Sequence, residues 1–220
     1  SDWSSDVCSS DLITKDSRVL IIGAGLIGLK CAEGISGKVA SIIVCDRAER
    51  VLSSILDDEC ARVAQKHLEA NGISIMLGNS ASSFEDRIAH MTNGESIPFD
   101  ILVTAVGVRA NIGLVKEAGG ECTRAISIND KMETSIDDIY AAGDCTESVD
   151  VSSGSVKVMA LMPNAYMQGR CAGVNMAGAE EVFDNAIPMN SIGFFGMHIM
   201  SAGSHTDDCE EYISRKDSSF

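Results

Sequence analysis

Residues Arg18 to Gly28 read RVLIIGAGLIG, and no other stretch limits the possible folds as much. A continuous apolar run without polar alternation fits a strand buried on both faces of a parallel sheet. The run ends in Gly23-Ala24-Gly25-Leu26-Ile27-Gly28, a G-x-G-x-x-G loop. LIGLKCAEGIS behind it predicts a helix ending near Gly37. In such a loop the first glycine permits a tight turn after the strand. The second lets the backbone approach a pyrophosphate, and the third lets the helix pack on the strand. The helix start then offers unpaired N–H groups and a positive dipole end to phosphate.

The text that follows supports this context. VASIIVCD predicts a second buried strand ending at Asp46, at the spacing from the loop where a carboxylate accepts hydrogen bonds from an adenosine ribose. An acid there repels a 2′-phosphate and favours NAD(H). Arg47 beside it can pair with that phosphate, so NADP(H) stays open. On this region alone a ligand-free glycine turn or an S-adenosylmethionine site also remains open.

SSILDDECARVAQKHLEANG predicts a helix with the stripe Leu56, Cys60, Val63, Ala64, His67 and Leu68, acidic residues at its start and Asn71-Gly72 at its close. ISIMLG predicts a third strand, Asn93-Gly94 a hairpin, and ILVTAVG a fourth buried strand. Strands alternating with helices imply a parallel α/β sheet. Further on, IYAAGD predicts a short strand ending in Gly-Asp. MPNAYMQGRCAGVNMAG predicts a helix with Pro163 in its first turn. Ala165, Gly169, Ala172, Gly173 and Met176 share one of its faces, which suggests close approach to a sheet or a flat ligand. The text after Pro188 is strand-like.

Composition narrows the function classes. The chain has 220 residues, 45% of them hydrophobic, and a formal charge of −15. So acidic a surface repels nucleic acid and anionic membranes, and neither is expected as a partner. Eight cysteines are scattered without C-x-x-C or zinc spacing, so reduced thiols of a cytoplasmic protein and no metal site are expected.

Downstream motifs tie the chain to a family. TSIDDIYAAGDC, with Thr134, Ile139, Tyr140, Ala141, Gly143 and Asp144, resembles the second flavin motif of the pyridine nucleotide–disulfide oxidoreductase superfamily. ILVTAVGVRAN resembles the strand ending A-x-G that returns from that family's NAD domain to its FAD domain, which marks Ala105, Val106 and Gly107. The helix from Met162 resembles the one whose N-terminus, at Met162 to Ala165, faces the flavin. PMNSIGFFGMHIMSAG is similar to the start of the C-terminal domain in the NADH oxidase, rubredoxin reductase and nitrite reductase branch. The resemblance implies FAD and NAD(H) as cofactors, Asp144 on the flavin's ribityl chain, and hydride passing from NADH to FAD and on to an acceptor.

The acceptor it implies is oxygen, a small redox protein or a disulfide, with a homodimer formed through the C-terminal domain. It further implies an NAD(H)-binding domain at 13–107, the C-terminal half of an FAD-binding domain at 108–187 and the start of an α+β interface domain at 188–220. Lys30 departs from the glutamate usual in the family, and a Lys30–Glu33 pair on a solvated helix face is expected instead. No side chain has the setting of an acid–base or nucleophilic catalyst, so none is assigned.

The family's first FAD loop does not occur in this sequence. Weak or no flavin binding is therefore expected of the chain alone, and a non-catalytic NAD(H)-binding module is the alternative. Residues Asp2 to Leu12, DWSSDVCSSDL, match a translated short-read sequencing adapter without mismatch. Residues 1–12 are therefore expected to be foreign to the protein and to pack against nothing.

Overall fold

A computed structural model describes residues 12–203. The reading of residues 1–12 lies outside the described residues except for Leu12, which is exposed. The strand-like text beyond Gly203 also lies outside them. The described residues form two compact units, one of residues 12–111 with 189–201 and one of 112–188 with 202–203.

In the first unit the order is β1 (Arg18–Ile22), α1 (Leu26–Ile35), β2 (Ser41–Cys45), α2 (Asp58–Ala70) and β3 (Ser74–Met76). Then come β4 (Ala81–Glu85), β5 (Ile88–Met91), β6 (Ser96–Pro98) and β7 (Ile101–Thr104). Four strands form a parallel sheet in the order β3-β2-β1-β7. Val19 and Ile21 of β1 pack with Leu29 and Ala32 of α1 and with Ala61, Ala64 and Leu68 of α2. Leu20 faces the other way, onto Ala89, Met91 and Ile97 of the antiparallel sheet β4-β5-β6 and onto Phe99 just after it. Both faces of the central strand are thus covered, which is why its sequence shows no alternation. Arg18 donates from its backbone N–H and its guanidinium to Asp100, at 2.8, 2.9 and 3.0 Å, and so ties the first residue of β1 to the residue before β7.

Four expectations for this unit need correction. The Asn93-Gly94 hairpin forms, but β4 adds a third strand that the polar text ASSFE did not announce. The buried stripe of α2 is turned: Ala61, Ala64 and Leu68 are buried, whereas Cys60 and Val63 are exposed. The small alanines let the helix lie close on the sheet. Leu56 reaches the core from the turn before α2, since Asp57 is the N-cap and accepts from Cys60 N–H at 2.7 Å. Strand β7 is half-buried rather than buried, because it is an edge strand with β1 on one side only.

The hairpin β11 (Met189–Phe194) and β12 (Met197–Ala202) places residues 189–201 in this first unit. Phe194 has no solvent exposure and belongs to the same core as α1 and α2. The Lys30–Glu33 pair forms, yet it is not merely a solvated pair. Lys30 Nζ also donates to Gly193 O at 2.9 Å and lies 5.5 Å from the centre of the Phe194 ring. Glu33 accepts Phe195 N–H at 2.6 Å, and His67 Nε2 lies 3.0 Å from Phe194 O.

The second unit contains α3 (Gly113–Glu117), β8 (Ile126–Ser127), β9 (Thr146–Val149), β10 (Val156–Val158) and α4 (Met162–Met176). The sheet order is β10-β9-β8. The strand expected to end at Gly143-Asp144 is only a single bridge, Glu133 to Tyr140, and the regular strand β9 begins after the turn. The small-residue face of α4 is only partly packed against the protein, with Ala172 buried and Ala165 half-buried. Gly169, Gly173 and Met176 are exposed, while Asn164, Gln168, Cys171, Ala172 and Asn175 are buried. These buried amides find backbone partners, which removes the usual cost of hiding a polar group.

Asp150 in this unit is fully buried. Burial pushes its carboxyl up, but Lys157 at 2.6 Å and the Ser152 and Ser153 hydroxyls outweigh that and hold it well below the usual carboxylate range. Its folded-state value lies under the ordinary 3.8, so its stabilisation is present above that pH and is lost as the pH falls below it. Asp150→Asn should therefore flatten the acid limb of the stability curve below about pH 4, as read by urea unfolding at several pH values.

Candidate functional site

The parallel strands of the first unit deliver their C-terminal ends to one place. After β1 the chain moves outward to β2 and β3, and β7 then pairs on the other side of β1. A crevice at such a reversal of strand order is where open α/β sheets bind ligands. A cavity of about 610 Å³ lies there, lined by Gly23, Gly25, Leu26, Ile27, Asp46, Arg47, Ala105, Val106 and Gly107 among others.

The three loop glycines do different work. Gly23 has φ of +114°, and a Cβ on it would lie 2.2 Å from Ala105 O. A Cβ on Gly28 would lie 1.9 Å from Gly23 O. These two positions are closed by the protein's own backbone. Gly25 has no heavy atom within 4 Å of an added Cβ, and it lines the cavity. Its missing side chain therefore leaves room for something other than the protein, as a cradle for a bound group requires.

Ala24 and Gly28 lie beneath the cavity rather than along it. Ala24 is buried. Its N–H donates to Asp46 Oδ2 at 2.7 Å, and its carbonyl accepts Leu52 N–H at 2.9 Å. Asp46 Oδ1 accepts Ala48 N–H at 2.8 Å. The carboxylate is thereby fixed by backbone on both oxygens at the cavity wall. Each oxygen keeps a second acceptor direction. Arg47 is exposed and makes no ion pair among the described residues. Residue by residue reading missed Ser54, Asn79, Ser80 and Thr104, which also line the cavity. Asn79-Ser80 follow β3, so the rule that ligands gather at strand C-termini was the available signal.

In the second unit, Gly143, Asp144 and Ala165 come together. Gly143 has φ of +84°, and Ala165 Cβ lies 3.5 Å from where a Cβ on it would be. Asp144 is exposed, with no side-chain hydrogen bond or ion pair among the described residues. Met162 is the first residue of α4 and is 84% exposed. No side chain caps that helix start, so its first N–H groups are unspent. An unpaired carboxylate can receive hydroxyl donors, and the helix N-terminus beside it favours negative charge on a bound group.

The described cysteines, Cys31, Cys45, Cys60, Cys122, Cys145 and Cys171, are free thiols. Burial pushes the Cys45 and Cys171 thiols up, away from nucleophilic thiolate. No helix among the described residues is long and apolar enough to cross a membrane.

The parallel sheet, with a glycine loop after its first strand and an acid at the end of its second, has the form of the dinucleotide-binding α/β oxidoreductase folds. The family described as pyridine nucleotide-disulphide oxidoreductase matches residues 4–169, and the chain belongs to it. It is 38% identical over 170 residues to an NADH oxidase of Methanocaldococcus jannaschii, covering 76% of this chain and 38% of that one. It is 36% identical over 139 residues to the rubredoxin-NAD(+) reductase of Acinetobacter baylyi, covering 60% and 35%. The NAD-dependent persulfide reductase from A. fulgidus superposes with a TM-score of 0.81 at 31% identity, covering 86% of this chain and 36% of that one. The chain spans less than half the length of the curated relatives it matches.

Proposed function

We propose that this chain carries the NADH site and one flavin contact of an FAD-dependent NAD(P)H oxidoreductase. The observation that carries the reading is Gly25, open to the cavity, with Asp46 fixed beside it by two backbone N–H groups. In this reading residues 13–107 bind the dinucleotide, and 108–187 supply the flavin contact. Residues 188–220 begin the segment through which the intact protein pairs, its residues 189–201 packed on the dinucleotide unit.

The bound cofactors supply the chemistry, a hydride passing from dihydronicotinamide to flavin. The residues of this chain bind and orient. The Gly23–Gly28 loop and the start of α1 hold the pyrophosphate, with Leu26 and Ile27 walling the cavity. Asp46 accepts from the adenosine ribose. Ala105, Val106 and Gly107 close the opposite wall. Asp144 accepts from the ribityl hydroxyls, and the start of α4 at Met162 to Ala165 favours negative charge on the ring. Oxygen, a rubredoxin-like protein or a disulfide is the acceptor class that the relatives' names support.

Calorimetry with NADH and NADPH tests the reading. The unmodified chain should prefer NADH, because Asp46 repels a 2′-phosphate. Asp46→Asn removes that charge at constant size and should shift the preference toward NADPH by about tenfold, ~1.4 kcal/mol. Arg47→Ala should weaken NADPH alone. Absence of binding at millimolar NADH would sink the assignment of the glycine cradle.

A further inference from the structure

Gln168 is 3% exposed, one of the buried amides of α4. Asn175 on the same helix donates to backbone carbonyls of Lys131 and Glu181, at 3.0 and 2.8 Å. Gln168 instead meets the Gly143 turn. Its Oε1 accepts Gly143 N–H at 2.7 Å and lies 3.3 Å from Thr146 Oγ1. Its Nε2 lies 3.4 Å from Ser148 Oγ. Thr146 Oγ1 in turn lies 2.8 Å from Gly143 O, so both ends of residue 143 are gripped by side chains.

Gly143 is in the left-handed region, and its N–H has no backbone acceptor among the described residues. Gln168 is the only group there that satisfies it. Gly143 is half-buried and Gln168 is buried, so loss of the amide would leave the N–H to find water and let the turn relax.

We propose that Gln168 is a positioning residue for Asp144. It holds the turn in the one geometry that presents the Asp144 carboxylate, and flavin affinity depends on it although it is too buried to touch a ligand itself. This rests on the flavin reading of the Gly143–Asp144 turn.

The test uses the isotope-labelled full chain, with amide exchange at Gly143 and FAD titration followed by NMR shifts. Gln168→Leu should speed Gly143 exchange and weaken FAD, each by about tenfold, the factor that ~1.4 kcal/mol represents. Gln168→Glu keeps an acceptor for Gly143 N–H and should retain the exchange protection, which also decides the matter if Gln168→Leu does not fold. Asp144→Ala should weaken FAD, and adding Gln168→Leu to it should weaken FAD little further.

Unchanged exchange and FAD affinity in Gln168→Leu, with FAD weakened in Asp144→Ala, would overturn the positioning role and leave the flavin reading standing. Loss of protection in Gln168→Glu would overturn it too, as would an equal Gln168→Leu effect in the Asp144→Ala background. FAD that binds Asp144→Ala as well as the unmodified chain would overturn the flavin reading and this proposal together, and where the chain alone shows no FAD shift, unchanged Gly143 exchange in Gln168→Leu overturns the positioning role by itself.

Discussion

Gly25→Ala should leave the protein folded and weaken NADH, whereas Gly23→Ala and Gly28→Ala should destabilise the first unit severely. The difference comes from what the new methyl meets. On Gly23 it would press on Ala105 O at 2.2 Å in a backbone of φ +114°, and on Gly28 it would press on Gly23 O at 1.9 Å. Neither obstacle is a side-chain tip that can swing away; one is backbone just after β7 and the other is backbone in the turn joining β1 to α1. Backbone strain of ~1–3 kcal/mol and overpacking of similar size add to about 4 kcal/mol at Gly23. That is a large share of the total stability of an ordinary domain.

On Gly25 the methyl meets no protein atom within 4 Å and points toward the space in which the pyrophosphate would lie. Its stability should stay within about 0.5 kcal/mol of the unmodified chain. Its NADH affinity should fall by about tenfold or more, since a methyl against a bound ligand costs ~1–3 kcal/mol. Thermal melts and calorimetry on the three variants separate the effects. A Gly25→Ala protein that binds NADH normally would show that the cavity is not the dinucleotide site. A Gly23→Ala protein that melts normally would show that the β1–α1 turn is not built as described.

Phe194→Ala should cost ~3–5 kcal/mol, the range for removing a buried aromatic ring. Phe194 is fully buried among the side chains of α1 and α2, although it stands far from them in the sequence. The backbone around it is bonded to Lys30, Glu33 and His67. Losing the ring should therefore loosen the hairpin and weaken the first unit as a whole. Met200→Ala in the same hairpin is the control. Met200 is 75% exposed, so its loss should stay within about 0.5 kcal/mol. Urea unfolding of the two variants checks this. Equal midpoints would mean that residues 189–201 are not part of that core.

Much of the candidate site could be read without a structure because its parts are local. The turn at Gly23, the helix after it and the acid ending β2 lie within one β-α-β unit, and their spacing is set by strand and helix length. The hairpin at Asn93-Gly94 announced itself for the same reason. What failed depended on partners distant in sequence. The rotation of α2 was misjudged because Val63 looks like a core residue until the alanines on its other side are seen against the sheet. The inward face of α4 was only partly legible: glycine and alanine suggest close packing, and Ala172 is buried, whereas Gln168 and Asn175 suggest solvent. Burial of those amides becomes favourable only when Gly143 and Glu181 stand opposite them. Strand β4 carried no signal because four of its five residues are exposed.

The sequence by itself determined the chemistry on offer: a glycine cradle, an acid at the end of β2, a Gly-Asp turn and a helix start. Those follow from residue type and short spacing, which any copy of this text would share. Only the tertiary structure decided how the parts are held. It placed Asp46 under two backbone N–H groups, brought Ala105 against Gly23, set Gln168 on Gly143 and sank Phe194 between α1 and α2. Each of those contacts joins residues from different elements, and its energy exists only once the intervening chain has folded to bring them together.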